Sequence, residues 1–195
     1  QYQDALADDR AFQKRYMFPV ELKISRKKTI TIEADEGVTE TNAEGLEKLR
    51  PVMPDGVHTF GTQTHPADGQ SAVTVTTREK AAELSEDANV SVQVLSYGYA
   101  RTKKAHMAMA VAPASQMALD GANIKAGDLT AVKTHNPFAS NDLYLAKAMG
   151  LDVETMNNYG SSLIFGHPQG PTVARLTMER SEERRVGKEC RSRWS

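Results

Sequence analysis

Residues Gly160–Arg175, G-S-S-L-I-F-G-H-P-Q-G-P-T-V-A-R, constrain the fold more than any other stretch. An apolar run (Leu163, Ile164, Phe165) breaks at Gly166-His167-Pro168, and a helix start follows at Gly170-Pro171-Thr172. Gly166 can adopt a backbone angle that other residues resist, and Pro168 stiffens the exit. The helix start offers unpaired N–H groups. A histidine at the apex of such a turn is placed for chemistry if other loops bring partners to it.

The remaining chain alternates strand-like and helix-like segments. Tyr2–Tyr16 carries Tyr2, Leu6, Phe12 and Tyr16 on one helical stripe, and Pro19 ends it. Val20, Leu22 and Ile24 alternate with polar residues, as do Ile30 and Ile32, so two short strands flank the basic link Ser25–Lys28. Arg26-Lys27-Lys28 reads as a solvated turn rather than a phosphate site. Thr41…Glu44 and Thr76…Glu79 have the spacing of capping boxes, each opening a short helix. Val57–Thr62, Ala72–Thr77, Val90–Ala100 and Leu129–Thr134 have the composition of strands. Pro113 suits the first turn of a helix to Leu119 with Gly121 at its end. Ser140 suits the cap of a helix over Asn141–Met149, which Gly150 stops. Strands alternating with helices of about ten residues predict layered α/β architecture with polar loops at the strand ends.

Composition excludes several classes. The 195 residues are 25% charged and 39% apolar, with a formal net charge of −1, which gives no reason to expect nucleic acid as a partner. No apolar run reaches the length of about 18 residues that a membrane span needs, and no signal-peptide pattern opens the chain, so a cytoplasmic location is expected. The first residue is Gln1, already inside a predicted helix, which suggests a start within a longer protein.

Arg180–Ser195 differs from the rest. It holds six lysines and arginines against three acids, a net of +3 that leaves −4 on residues 1–179, together with the sole cysteine, Cys190, and the sole tryptophan, Trp194. The stretch resembles the in-frame translation of a sequencing-library adapter and is set apart from the expected fold as a non-native tail. Without it no cysteine remains for a disulfide or a thiolate metal site.

Five histidines are candidates for chemistry: His58, His65, His106, His135 and His167. His135 and His167 both lie where a strand-like segment meets a helix start, the edge at which α/β folds gather ligands. His65 occupies a polar turn with nothing near it to specify a role, and His58 and His106 read as ordinary strand and loop residues. No histidine pair has the H-x-x-x-H spacing, and no metal site is expected.

Three ordered motifs, T-F-G-T-Q-T…D-G at Thr59–Gly69, T-H-N-P-F-A at Thr134–Ala139 and N-N-Y-G-S-S-L-I-F-G-H-P-Q-G-P-T-V-A-R at Asn157–Arg175, resemble those of the thiolases, the acyl-CoA C-acyltransferases. The resemblance runs over nearly all of Tyr2–Glu179 and includes the D-E-G…E-G-L-E-K-L-R-P segment at Asp35–Pro51. It implies a layered α/β thiolase fold, incomplete here. Gln1–Asp55 would end the inserted loop domain, Gly56–Asp87 would close the first unit, and Ala88–Glu179 would form most of the second, with 180–195 outside.

The resemblance also implies roles. His167 would activate a nucleophilic cysteine and help bind the thioester oxygen, and His135 would donate with it to the developing oxyanion. Variants with histidine first in this motif exist, among them the sterol-carrier-protein-type thiolases. Pro137 and Phe138 would line the pantetheine channel, and Thr64 would contact the pantetheine arm. Asn136 stands where an acid is usual, Ser161 replaces a glycine before the apolar run, and Val173 replaces one near the helix start, departures that mark a divergent subfamily. The family's nucleophilic cysteine would lie upstream of Gln1 and its second cysteine beyond Glu179; Cys190, with no glycine run after it, does not stand in for it. The expected function is therefore acyl transfer between CoA thioesters by the intact parent, a homodimer or homotetramer. It would need no cofactor beyond its coenzyme A thioester substrate, and the chain alone would be inactive. A non-catalytic thiolase-fold protein that binds acyl-CoA or serves as a partner subunit is the alternative.

Overall fold

A computed structural model describes residues 1–38 and 40–192, with side chains to Glu183 in the last helix. Its first helix, α1, spans Tyr2–Arg10, and the continuous helix expected to Tyr16 is interrupted. Ala7 is extended, and Asp8 and Asp9 turn left-handed at φ 49° and 55°. Aspartate tolerates that region because its short side chain bonds locally. Asp9 meets Lys14 at 2.6 Å, and the chain then continues as a 3-10 turn at Gln13–Arg15. The break lets both Ala5 and Phe12 be buried. Phe12 stacks on Tyr159 at 4.0 Å and meets the edge of Tyr16 at 5.7 Å, fastening this segment to residues far along the chain.

β1 (Val20–Lys23) and β2 (Thr29–Ile32) pair antiparallel from Val20↔Ile32 to Lys23↔Thr29, with the basic link as their turn. α2 (Ala43–Glu47) is capped by Asn42 and α3 (Arg78–Leu84) by Thr77. In each case the capping side chain lies one residue beyond the one expected. α4 spans Val111–Ala122, so Pro113 sits within its first turn, and it ends at left-handed Asn123 rather than at Gly121. α5 (Ala139–Met149) ends at left-handed Gly150, as its sequence predicts. α6 is a single turn, Ser162–Phe165, and α7 runs Pro171–Ser192. The apolar run before His167 is thus a helical turn, and His167 joins two helices rather than a strand to a helix.

A buried cluster of Ala112, Leu145, Ala146 and Met156 joins α4 to α5, with Val111, Val132, Tyr144 and Leu151 packed around it. Close approach also holds α4 to the segment before it: a Cβ on Gly98 would lie 2.0 Å from the Ala114 carbonyl oxygen, so only glycine fits there.

Val57–Thr62, Ala72–Thr77, Val90–Ala100 and Leu129–Thr134 form no ladder among the described residues; Val132 alone makes a bridge, to Met156. Alternation records which residues suit a pleated surface, but a strand exists only where a neighbour accepts its hydrogen bonds. Many of their apolar side chains stay outside, Val75 at 81% and Tyr97 at 79% exposure, while Val132 packs on the core. The segment set apart as a tail is also not separate at its start. α7 continues through it, Arg180 donates to Thr130 Oγ1 at 3.2 Å, and Glu182 and Glu183 pair with Arg15 and Lys133 at 2.8 and 2.9 Å. The side chain of Cys190, and Trp194 altogether, lie outside the described residues.

Candidate active site

Three loops meet because their backbones bond to one another. Thr64 N–H donates to the Pro137 carbonyl at 2.7 Å, and Ala139 N–H donates to the Thr62 carbonyl at 3.0 Å. The third loop closes on the first through His167 N–H, which donates to the His65 carbonyl at 3.2 Å, and through the Thr64 hydroxyl, which donates to the Ser162 carbonyl at 2.7 Å. Thr64 therefore ties together the first, second and third loops.

Behind His135 a buried polar network fixes the second loop. The Asp142 carboxylate accepts from the Thr134 hydroxyl at 2.6 Å and the Asn136 amide at 2.7 Å, and Asn157 adds a third donor at 3.0 Å. Asn157 in turn accepts from Thr134 N–H, and Asn136 accepts from Leu163 N–H. Asn136 and Ser161 are fully buried, and the Ser161 hydroxyl donates to the Thr134 carbonyl. Burying a carboxylate costs several kcal/mol unless donors surround it, and here three do. Two of the three departures from the thiolase pattern, Asn136 and Ser161, serve to hold this loop.

On this scaffold the imidazoles of His135 and His167 lie 4.0 Å apart between ring centroids, tilted by 34°. Each ring is held at Nδ1 by a buried hydroxyl: Ser162 Oγ for His135 at 2.7 Å and Thr172 Oγ1 for His167 at 2.8 Å. Burial, then the neighbouring His167 and Arg175, pull the His135 pKa down to about 4, so this ring is neutral at pH 7. Gly166 is required twice over. Its φ is +83°, and a Cβ there would sit 2.6 Å from Ala67 Cβ.

Of the other residues singled out by sequence, Pro137 lines a cleft of about 1260 Å³ together with His135, Lys133, Val92, Leu145 and Leu176. Phe138 is 40% exposed and packs against the His58 ring at 4.8 Å, so His58 belongs to the rim of the site. His65 contributes its backbone carbonyl, and its ring fills the space beside Gly37 and Gly166. His106 bonds only locally, its ring to the Lys104 carbonyl at 3.0 Å.

Sequence reasoning passed over Ser162, Asp142, Asn157 and Thr172. Ser162, Asp142 and Thr172 had a signal in position, each within a few residues of a reactive-looking histidine or on the helix that follows it; Asn157, ten residues before His167, had none. It also passed over the charged group behind the site. Glu179 is fully buried, accepts from the Tyr16 hydroxyl at 2.8 Å, and lies at ion-pair rather than hydrogen-bond geometry from Arg175 (3.4 Å) and Lys133 (3.7 Å). Burial pushes the Glu179 carboxyl above its usual range while Lys133 and Arg175 oppose the rise. Arg175 extends from this group to the Gly166 carbonyl and to Ser162 Oγ, both at 3.5 Å.

A pair of adjoining imidazoles on interlocked loops of an α/β scaffold is an arrangement that can donate hydrogen bonds to a carbonyl oxygen. Comparison with known proteins gives it a family. The family model for the thiolase C-terminal domain matches residues 88–189, and the chain belongs to the thiolase family. It is 35% identical over 151 residues to the peroxisomal 3-ketoacyl-CoA thiolase B of Rattus norvegicus, covering 76% of this chain and 35% of the rat protein. It is 31% identical over 173 residues to the beta-ketothiolase BktB of Cupriavidus necator, covering 87% of this chain and 43% of that protein. The crystal structure of the Bacillus anthracis acetyl-CoA acetyltransferase superposes with a TM-score of 0.84 at 28% identity, covering 95% of this chain and 48% of that one. The fold is thus the α/β thiolase fold in part. The chain spans less than half the length of these relatives. Among the described residues, no helix is long and apolar enough to cross a membrane.

Proposed function

We propose that this chain carries the base and oxyanion side of a thiolase-type acyltransferase whose intact form moves acyl groups between CoA thioesters. The observation that supports this is the 4.0 Å approach of the His135 and His167 rings. In this mechanism His167 removes the proton of a cysteine thiol, and the thiolate attacks the acyl carbonyl carbon. The carbonyl π electrons move to oxygen, where His135 and His167 donate hydrogen bonds. Collapse of the tetrahedral species expels the leaving group, CoA thiolate from the donor thioester in condensation or the acetyl-CoA carbanion from 3-ketoacyl-CoA in cleavage; it takes up a proton and leaves an acyl-cysteine. CoA thiol, or an acetyl-CoA carbanion, then accepts the acyl group. Thr64, Pro137 and Phe138 flank the path of the pantetheine arm. The substrate is a coenzyme A thioester with no further cofactor, the intact protein is a homodimer or homotetramer, and its location is cytoplasmic.

The attacking sulfur belongs to a part of the thiolase sequence that these residues do not include, so this chain alone should show no CoA-dependent cleavage of 3-ketoacyl-CoA. The proposal is tested by ring resonances of His135 and His167 during titration with S-acetyl-pantetheine. Both should move along one saturable curve, and absence of movement in both contradicts the proposal. A second reading is a non-catalytic acyl-CoA-binding or partner subunit, favoured by Asn136 and Ser161, which are committed to the scaffold. The cysteine position in the upstream coding sequence separates the two: an inert residue there supports the binder.

A further inference from the structure

We propose that Ser162 and Arg175 are positioning residues that fix the ring tautomer of His135, leaving its Nε2–H as the group offered to a substrate oxygen. This deepens the acyl-transfer reading and rests on it for the identity of that oxygen.

Three observations carry the inference. Ser162 Oγ is 2.7 Å from His135 Nδ1, and Ser162 is fully buried. The Arg175 Nη2 donates to the same Oγ at 3.5 Å. Arg175 is itself anchored on α7, with Nε 3.4 Å from the Glu179 carboxylate and Nη1 donating to the carbonyl of Gly166, the residue before His167.

A guanidinium has donors only, so Ser162 Oγ must accept from Arg175. The hydroxyl has one hydrogen to give. If His135 Nδ1 also carried a hydrogen, Oγ would receive two donors and its own hydrogen would have no acceptor among the contacts of this buried side chain. Donation from Ser162 to a bare Nδ1 gives both the hydroxyl hydrogen and Nδ1 a partner. The single hydrogen of the neutral imidazole then resides on Nε2. The ring is neutral at pH 7 because burial and the nearby His167 and Arg175 disfavour its charged form. Thr172 Oγ1 occupies Nδ1 of His167, so its Nε2 too is left for the reacting atoms, bare in the resting ring if His167 is to act as the base. The Arg175 side chain couples the two turns that bear on the rings.

Ring ¹⁵N shifts and two-bond couplings of the unliganded chain read the tautomer directly, with the His135 signals identified by their loss in H135N. Near neutral pH, His135 should be in the Nε2–H form. S162A should convert it to a mixture of tautomers, S162T should restore the single form, and His167 should not change in either. R175Q provides an independent test that leaves the Ser162 hydroxyl in place, and it too should lose the single form. An Nδ1–H ring in the wild-type chain, or an unchanged tautomer in both S162A and R175Q, overturns the proposal. Neither result depends on thioester binding, so failure of this device and failure of the acyl-transfer reading are separately visible.

Discussion

The Asp142 carboxylate accepts from the Asn157 side-chain amide at 3.0 Å, and through this bond the start of α5 holds the loop that leads to α6. Two further donors, Thr134 and Asn136, converge on the same carboxylate. Replacing Asp142 by alanine strands three donors, of which the Asn136 and Asn157 amides are buried and cost about 1–3 kcal/mol each. D142A should lower stability by about 3 kcal/mol or more, measured by urea unfolding, and should broaden the His135 ring signals. Asp142→Asn, which keeps one acceptor oxygen, should lose less.

A second prediction concerns Gly166. An alanine there would hold φ +83° and place its Cβ 2.6 Å from Ala67 Cβ. Backbone at φ +83° and ψ 177° is open essentially to glycine alone and costs another residue about 1–3 kcal/mol, and the contact adds to it. G166A should lower the melting temperature by several degrees and separate the two imidazoles, which ring-to-ring NOEs would report. G127A, where nothing crowds the added Cβ, should leave those NOEs intact.

The acid limb of stability should carry a His135 signature. Its pKa is about 4 in the folded chain against an ordinary value of 6.5, so between these values the unfolded chain binds more protons. Stability from this group is present in full above about 6.5 and is lost as pH falls toward 4. The slope of stability against pH in that window should be shallower in H135N than in the wild-type chain, as read from unfolding midpoints at each pH. Equal slopes would mean that His135 is not held neutral.

Much of this arrangement is legible in the sequence, and the rest is not for physical reasons. The β1–β2 hairpin, the stop at Gly150 and the start of α7 at Pro171 follow from local patterns that no tertiary contact overrides. The capping residues shifted by one position because neighbouring threonine and asparagine are chemically equivalent at a helix start, and geometry chooses between them. Leu163–Phe165 resembled a strand because three apolar residues fit either period. The missing ladders at Ala72–Thr77 and Val90–Ala100 reflect partners, which alternation cannot encode. His135 and His167 stood out by their turns. Ser162 and Asp142 did not, because a serine or aspartate becomes informative only once its partner across the fold is known.

The unpaired segments have a consequence for handling. Val75, Val94, Tyr97 and Tyr99 are 72–81% exposed, apolar side chains left to solvent. The chain should self-associate with rising concentration in sedimentation or light scattering, and the double variant V75K/Y97K should reduce that association. A sharp, reversible, monomeric melting transition in the wild-type chain would contradict it.

The central claim is that His135 and His167 share one carbonyl oxygen, and titration with S-acetyl-pantetheine while both ring resonances are followed tests it most directly. A common binding curve for the two rings, abolished in H135A for His167 and in H167A for His135, is the predicted result. Saturable movement of one ring with the other unmoved would contradict it.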